Sequence, residues 1–276
     1  MKNNKTRAFL KWAGGKYSLS EQIVSLLPEA NKLVEPFVGA GSVFLNSDFQ
    51  QYHLNDINPD LINLYKILKR RPKHYIEDSK ALFTPDNNNE KAYYALRKRF
   101  NGTQDIYERA VLFLYLNRHG YNGLCRYNRA GGFNVPFGRY VKPYYPEHEL
   151  AIFAEKSKRA TFTCLPFNQI FKRVRAGAVI YCDPPYVPIN ATAMFTDYSS
   201  KGFSLDQQVE LARLAKHAAH ERNIPVLLSN HDVPFTRDIY QHASITSLKV
   251  KRSISQNGAN RVAVDELFAL YTNKNR

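Results

Sequence analysis

"KLVEPFVGAGSVFLN", residues 32–46, runs from an apolar stretch through a Gly-x-Gly turn into helix-compatible residues. An apolar run broken by glycines and resumed in this way reads as strand, tight turn and helix. Gly39 and Gly41 let the backbone pass close to a ligand with no Cβ in the way. On its own the pair also fits a plain tight turn, because the third glycine of the dinucleotide fingerprint is missing. Asp56 raises its meaning. It ends the next strand-like run, "YHLNDIN" (52–58), where an acid can accept hydrogen bonds from ribose hydroxyls. Together they suggest a cofactor that carries adenosine.

Beyond that second strand the strand–helix alternation stops. "DLINLYKILKR", "EKAYYALRKRF" and "DIYERAVLFLYLN" are apolar at helical spacing, which predicts three successive helices, the first separated from the others by the polar break "TPDNNNE". From Gly120 to Tyr145 glycines, prolines and aromatics predominate, a composition suited to a hairpin or ordered loops. Alternation then resumes with a helix near 147–158, strand "TFTCL", a helix near 167–173 and strand "AVIYC". Ser204 and Gln207 form a capping box for "LDQQVELARLAKHAAHE". "PVLLSN", a helix near 234–241, "SLKVKRSI" and "DELFALY" complete the chain. The expected fold is α/β: a Rossmann-like, doubly wound mixed sheet, with residues 57–145 inserted between the two parts of a domain made of 1–56 and 146–276.

Charge supplies the next clue. The chain has 39 basic and 24 acidic residues, a formal net charge of +15 that attracts polyanions. A general solubility charge would be spread evenly. Here no acid occurs between Arg109 and Pro146, a stretch holding Arg118, Arg126, Arg129, Arg139 and Lys142, and none between Ile239 and Val264. Such clustering favours nucleic acid.

Several classes drop out. Cys125, Cys164 and Cys182 are widely spaced, so neither a disulfide framework nor a cysteine zinc site is encoded, which suits a reducing compartment. No apolar run approaches the ~20 residues of a membrane span, and "MKNNKTRAF" has no signal-like apolar region, so a soluble cytoplasmic protein is expected. "WAGGK" (12–16) lacks Walker spacing, and Tyr17 stands where a magnesium-holding hydroxyl belongs. Lys16 could pair with a carboxylate and Trp12 could lie on a flat ring, or they could be a solvated lysine and a core tryptophan. The eight histidines form no metal-binding set. His231 in "SNHD" reads first as a satisfied strand-end histidine.

"CDPPY" (182–186) follows the fourth predicted strand, at the sheet edge where open α/β folds bind ligands. Its two prolines restrict the backbone and donate nothing. Asp183, the Pro184 carbonyl and the Tyr186 ring therefore form a fixed acceptor array beside an aromatic face. An exocyclic amine fits that array. Its lone pair is normally delocalised into the base, and hydrogen bonds to both N–H groups favour the pyramidal form that can attack in line. A proline-rich turn with an aspartate cap is the bland alternative, and the upstream glycine loop and acid weigh against it.

"FLKWAGGKY", "EPFVGAGSVF", "NDIN", "LYLNRHGYNGLCRYN", "FNVPFGRY", "CDPPY" and "SNHD", in this order, resemble the Dam-type DNA adenine-N6 methyltransferases of the alpha group, in which the target-recognition segment lies between cofactor loop and DPPY. The resemblance covers essentially the whole chain. It implies transfer of a methyl group from S-adenosylmethionine to adenine N6 in double-stranded GATC, S-adenosylhomocysteine as product, base flipping, no metal and a monomer at the nucleoid. It implies roles in mismatch-repair strand marking, replication timing and gene regulation. By motif match Trp12, Lys16, Phe37, Gly39, Gly41, Asp56, Phe167 and Asp183 would line the cofactor site, with Phe167 at a position where the family carries Tyr. Asp183, Pro184 and Tyr186 would hold the amine. Lys11 and, in the recognition segment 57–145, Leu124, Arg126, Pro136, Arg139 and Tyr140 would touch bases or phosphates. Arg126 and Arg139 can fork onto guanine, Asn122 suits an amino or carbonyl edge, and Tyr121 could fill the space of the departed base. Arg97, Arg118, Asn128, Lys251 and Arg252 would reach phosphates. Two rivals stand: a non-enzymatic DNA-binding module, which leaves the sheet-ordered motifs unexplained, and the same chemistry on cytosine N4, RNA adenine or a protein glutamine.

Overall fold

The computed structural model describes residues 5–189, 203–250 and 264–273. The expected phosphate contacts Lys251 and Arg252, and most of the second acid-free stretch, lie outside them. Seven strands form a mixed sheet in the order β3-β2-β1-β4-β5-β7-β6. The chain divides into two compact units, one of Met1–Val24 and Val38–Cys164, the other of Ser25–Phe37 and Leu165–Arg276.

The first unit begins with α1 (Ser20–Leu26, its last residues in the other unit) and holds α2 (Ser42–Asn46), β2 (Gln51–Asn55), α3 (Pro59–Arg70), α4 (Pro72–Lys80), α5 (Glu90–Gly102), α6 (Ile106–His119), α7 (Glu147–Ser157) and β3 (Ala160–Thr163). β2 and β3 pair in parallel, Tyr52 opposite Ala160 through Asn55 opposite Thr163. α3 starts where Asn58 accepts the N–H groups of Asp60 and Leu61 and proline takes the first helical position. Its apolar stripe, Leu61, Ile62, Leu64, Tyr65 and Leu68, is buried. α6 buries residues on every side, from Ala110 to His119, as a helix at the centre of its bundle must. Between α3 and α5 the sequence predicts no helix, yet α4 forms there. Only Tyr75 and Ser79 of α4 are buried, too few to leave a periodic signal.

The second unit holds β1 (Lys32–Glu35), α8 (Phe167–Arg173), β4 (Ala178–Cys182), α9 (Leu205–Arg222), β5 (Val226–His231), α10 (Pro234–Ile239), β6 (Ser244–Val250) and β7 (Val264–Tyr271). β1, β4 and β5 run parallel. β7 and β6 are antiparallel additions, making the sheet mixed as expected. β4 and β5 are buried along their whole length, and β4 accordingly reads as a continuous apolar run, while β5 is apolar only over Val226–Leu228 before its polar end. The capping box at Ser204 and Gln207 forms and starts α9. Strand order reverses between β1 and β4, so "PF" (36–37) and "DPPY" (183–186) leave adjacent strands at the switch point, where such sheets bind ligands.

Candidate active site and nucleic-acid interface

In the first unit the chain after Phe37 is pinned to the end of β2. The Val38 N–H donates to the Asn55 carbonyl (2.8 Å), and the Gly39 N–H to Asp56 Oδ2 (3.1 Å). The other carboxylate oxygen accepts the Asn58 N–H (3.0 Å). Burial pushes the Asp56 pKa up, while the N–H groups of Asn58, Gly39 and Ile57 oppose that rise. Glycine is required at 39 on two grounds. Its φ is +47°, and a Cβ would lie 2.9 Å from Trp12 Nε1. Trp12 is thus half-buried against the glycine loop rather than deep in a core. Tyr65 closes the loop from below, its hydroxyl donating to the Gly39 carbonyl (2.6 Å). Gly41, at φ +75°, turns the chain into α2. Lys16 is buried, not solvated, and donates to the Gly14 carbonyl (2.8 Å).

In the second unit Asp183 leaves β4 at Cys182. Ser229 Oγ donates to Asp183 Oδ1 (2.9 Å) and also meets the Tyr181 hydroxyl (3.1 Å). Gln208 Nε2 donates to the Pro185 carbonyl (2.7 Å), and the Val187 N–H donates to Asn230 Oδ1 (3.1 Å). Asn230 in turn donates to Gln208 Oε1 and the Tyr240 hydroxyl, each at 3.1 Å. Pro184 is buried and Pro185 exposed. The Tyr186 hydroxyl donates to Glu266 Oε2 (3.1 Å), and burial, with the negative charge of Asp183, keeps its pKa well above the usual phenol range. An aromatic wall stands in the same unit: Phe37, Phe167 and Phe203 lie with ring centroids 5.4–5.6 Å apart. Phe167 presents an apolar edge there, with no hydroxyl to offer.

The segment from Gly120 to Tyr140 is a hairpin with isolated antiparallel bridges, Gly120 with Phe137 and Tyr127 with Phe133. It is tied to the helical bundle through Asp60. Arg109 forks onto both Asp60 oxygens (2.9 and 3.0 Å), and the Tyr127 hydroxyl donates to Oδ2 (2.7 Å). Arg109, counted in the basic cluster, therefore serves the fold. Arg126 of the hairpin and two cations of the neighbouring helices rest on carbonyls: Arg126 Nε and Nη2 on Asn134 (3.1 and 2.9 Å), Arg97 Nη1 of α5 on Val135 (2.9 Å), Arg118 Nε of α6 on Tyr144 (3.0 Å). Arg139, at φ +53°, projects outward with its side chain 80% exposed. Tyr121 and Asn122 are exposed, Leu124 is half-buried, and the exposed Pro136 accepts the Tyr121 N–H (2.9 Å). Asn128 Oδ1 accepts the N–H groups of Ala130 and Gly132, so this side chain shapes the turn. Lys11 reaches the hairpin as well. Its ammonium sits 3.7 Å from the Tyr140 ring centroid, and the Tyr140 hydroxyl accepts the Asn122 N–H (2.9 Å). Desolvation, then the Arg118 charge, lowers the Lys11 pKa to about 8.

Against known proteins, the family model of D12 class N6 adenine-specific DNA methyltransferases matches residues 12–254. The chain belongs to that family. It is similar to DNA adenine methylases of Vibrio cholerae (58% identical), Escherichia coli (57%) and Serratia marcescens (56%), with 97% of this chain and 96–99% of each relative covered. It is an adenine-specific DNA methyltransferase. Among the described residues no cluster of His, Cys, Asp and Glu could hold a metal, and no helix is long and apolar enough to cross a membrane.

Several residues around this methyltransferase's motifs gave no signal of their own in the sequence. Ser229, Gln208, Asn230 and Glu266 reach the DPPY segment from β5, α9 and β7, and Phe203 joins the aromatic wall from before α9. Asn117 is the counterpart in the first unit. Buried in α6, its Oδ1 accepts the Lys11 N–H (2.9 Å) and its Nδ2 donates to the Lys11 carbonyl (2.7 Å), a two-way grip on backbone. A Cβ on Gly123 would stand 2.1 Å from the Lys11 Cβ, so the hairpin can lie this close only with glycine there. The "SN" of "SNHD" and the "LYLNRHGYNG" stretch that holds Asn117 and Gly123 were the pointers to some of these; Gln208, Glu266 and Phe203 had none.

Proposed function

We propose that this enzyme transfers the methyl group of S-adenosylmethionine to N6 of adenine in double-stranded GATC, acting on an adenine flipped out of the stack. The observation that carries the reading is the grip at the end of β4: a carboxylate held by Ser229, a proline-restricted turn and a half-buried tyrosine whose phenol pKa is raised well above its usual range. Asp183 and the Pro184 carbonyl would accept hydrogen bonds from the two N6 hydrogens and Tyr186 would stack on the ring. The amine then presents its lone pair in line with the methyl carbon. When bound, the donor supplies a sulfonium-activated methyl and leaves as the neutral thioether S-adenosylhomocysteine, while N6 sheds one proton.

The residues present suit that donor chemically. Asp56 offers a carboxylate to ribose hydroxyls at the end of β2, with Trp12, Lys16, Gly39 and Gly41 around the same loop. Phe37 and Phe167 offer an apolar aromatic surface for a flat ring. We assign duplex recognition to 57–145 together with Lys11. Arg126 and Arg139 would read base edges, Tyr121, Asn122, Leu124, Pro136 and Tyr140 would line the opened pair, and Arg97, Arg118 and Asn128 would meet or shape the backbone contact. We further propose that the enzyme acts as a monomer in the cytoplasm, at the nucleoid, marking strands for mismatch repair, timing replication and modulating genes. The test is incubation with labelled S-adenosylmethionine and duplexes containing GATC or GTTC. Label is expected on adenine of GATC alone; no transfer to either, or label on cytosine, overturns the reading.

A further inference from the structure

The proline-restricted backbone of DPPY does not fix Tyr186 itself, because a tyrosine keeps two side-chain torsions whatever its neighbours do. A ring meant to stack on one base needs both torsions held. Several contacts hold them, a side-chain hydrogen bond with Ser229 among them. The hydroxyl, the atom farthest from the backbone and so the longest lever, donates to Glu266 Oε2 (3.1 Å). The ring packs against the His231 ring, centroids 4.8 Å apart and 84° between planes. His231 is itself fixed, with Nδ1 2.7 Å from the Val187 carbonyl, one residue beyond Tyr186.

These two partners come from one place in the sheet. His231 on β5 and Glu266 on β7 are directly paired in antiparallel register. Directly opposed residues share a face of the sheet. Ser229, two residues before His231, lies on that face too and donates to Asp183 (2.9 Å), whereas Asn230 alternates to the other face and bonds Gln208 and Tyr240. The face that orients the carboxylate therefore also orients the ring. β7 thus has a task beyond closing the sheet.

We propose that Glu266 is a positioning residue, holding the Tyr186 hydroxyl so that the ring stands ready for the extruded adenine. This rests on the role given to Tyr186 above. The test is single-turnover methyl transfer on a GATC duplex, with duplex affinity and the fluorescence of a duplex carrying 2-aminopurine at the target adenine measured beside it. Glu266→Ala should slow transfer on the order of 10-fold and weaken the fluorescence rise, with duplex affinity unchanged. Glu266→Gln, which keeps an acceptor oxygen, should restore both. Tyr186→Phe should reproduce the Glu266→Ala loss, and the double variant should be no slower than either single one. The proposal is overturned by a wild-type rate in Glu266→Ala, by a glutamine variant as slow as the alanine one, or by losses that multiply in the double variant. Should Glu266→Ala not fold, Tyr186→Phe decides: an unchanged rate overturns the proposal. A wild-type enzyme that neither transfers label nor raises the fluorescence sinks the underlying reading, whereas normal wild-type behaviour with an indifferent Glu266 sinks only this one.

Discussion

The DPPY segment and the hairpin of residues 120–140 are held by opposite means. Around DPPY the side chains are locked to one another: Ser229 on Asp183, Gln208 on Pro185, Asn230 on Val187, Glu266 on Tyr186. In the hairpin the backbone is the fixed part, bridged at Gly120–Phe137 and Tyr127–Phe133, while Arg126 lies on the exposed Asn134 carbonyl, which it can leave. A methyl transfer needs acceptors that do not reorganise as the reaction proceeds. Reading a duplex needs cations able to exchange one oxygen for another, since a carbonyl and a phosphate or base edge are alternative partners for the same guanidinium. Rigidity thus lies in the side chains of one region and in the backbone of the other.

If that contrast is right, damage to the first region should appear in rate and damage to the second in discrimination. The largest effect is expected from Asp183→Ala, a loss on the order of 10²-fold or more in single-turnover rate with gel-shift affinity for duplex retained. Equal losses in both would break the contrast. Arg126→Ala should relax discrimination at one base pair by about 1–3 kcal/mol, measured as the ratio of rates on GATC and single-substituted sites, with little change on GATC at saturation. Asn117→Ala removes the grip on both backbone groups of Lys11 and should cost about 1–3 kcal/mol of stability by thermal melt, along with weaker duplex binding. The smallest effect concerns pH. Lys11 has its pKa lowered to about 8, so it gives up its proton as pH rises through that value. Duplex affinity should decline across that window in the wild type and stay flat across it in Lys11→Gln. The fold itself should gain stability over the same rise, because the unfolded chain still holds the proton up to the ordinary lysine value.

The legible parts of this protein are those whose physics is local. A strand, a glycine with positive φ and a helix follow each other in "KLVEPFVGAGSVFLN", and Gly39 is required there both by its own dihedral and by the closeness of Trp12. β4 could be read as a buried strand because burial on both faces favours an unbroken apolar run. The Ser204 capping box closes on residues three apart and so is written in full. α4 was not legible, since two buried residues cannot establish a period. Arg109 illustrates a different limit. Composition places it with the cations of the hairpin, but its charge is committed to Asp60, forty-nine positions earlier.

By itself, then, the sequence determined most of the strands and the longer helices, the two turns at the switch point, the acids at 56 and 183, and a basic stretch suited to a polyanion. Each depends on residues within a few positions of one another. Only the tertiary structure decided which neighbours hold those acids and rings in place. Ser229, Glu266, Asn117 and Asp60 act across tens of residues, through strand register and helix packing. A polar side chain gives no sign in the sequence of the partner that the register will bring opposite it.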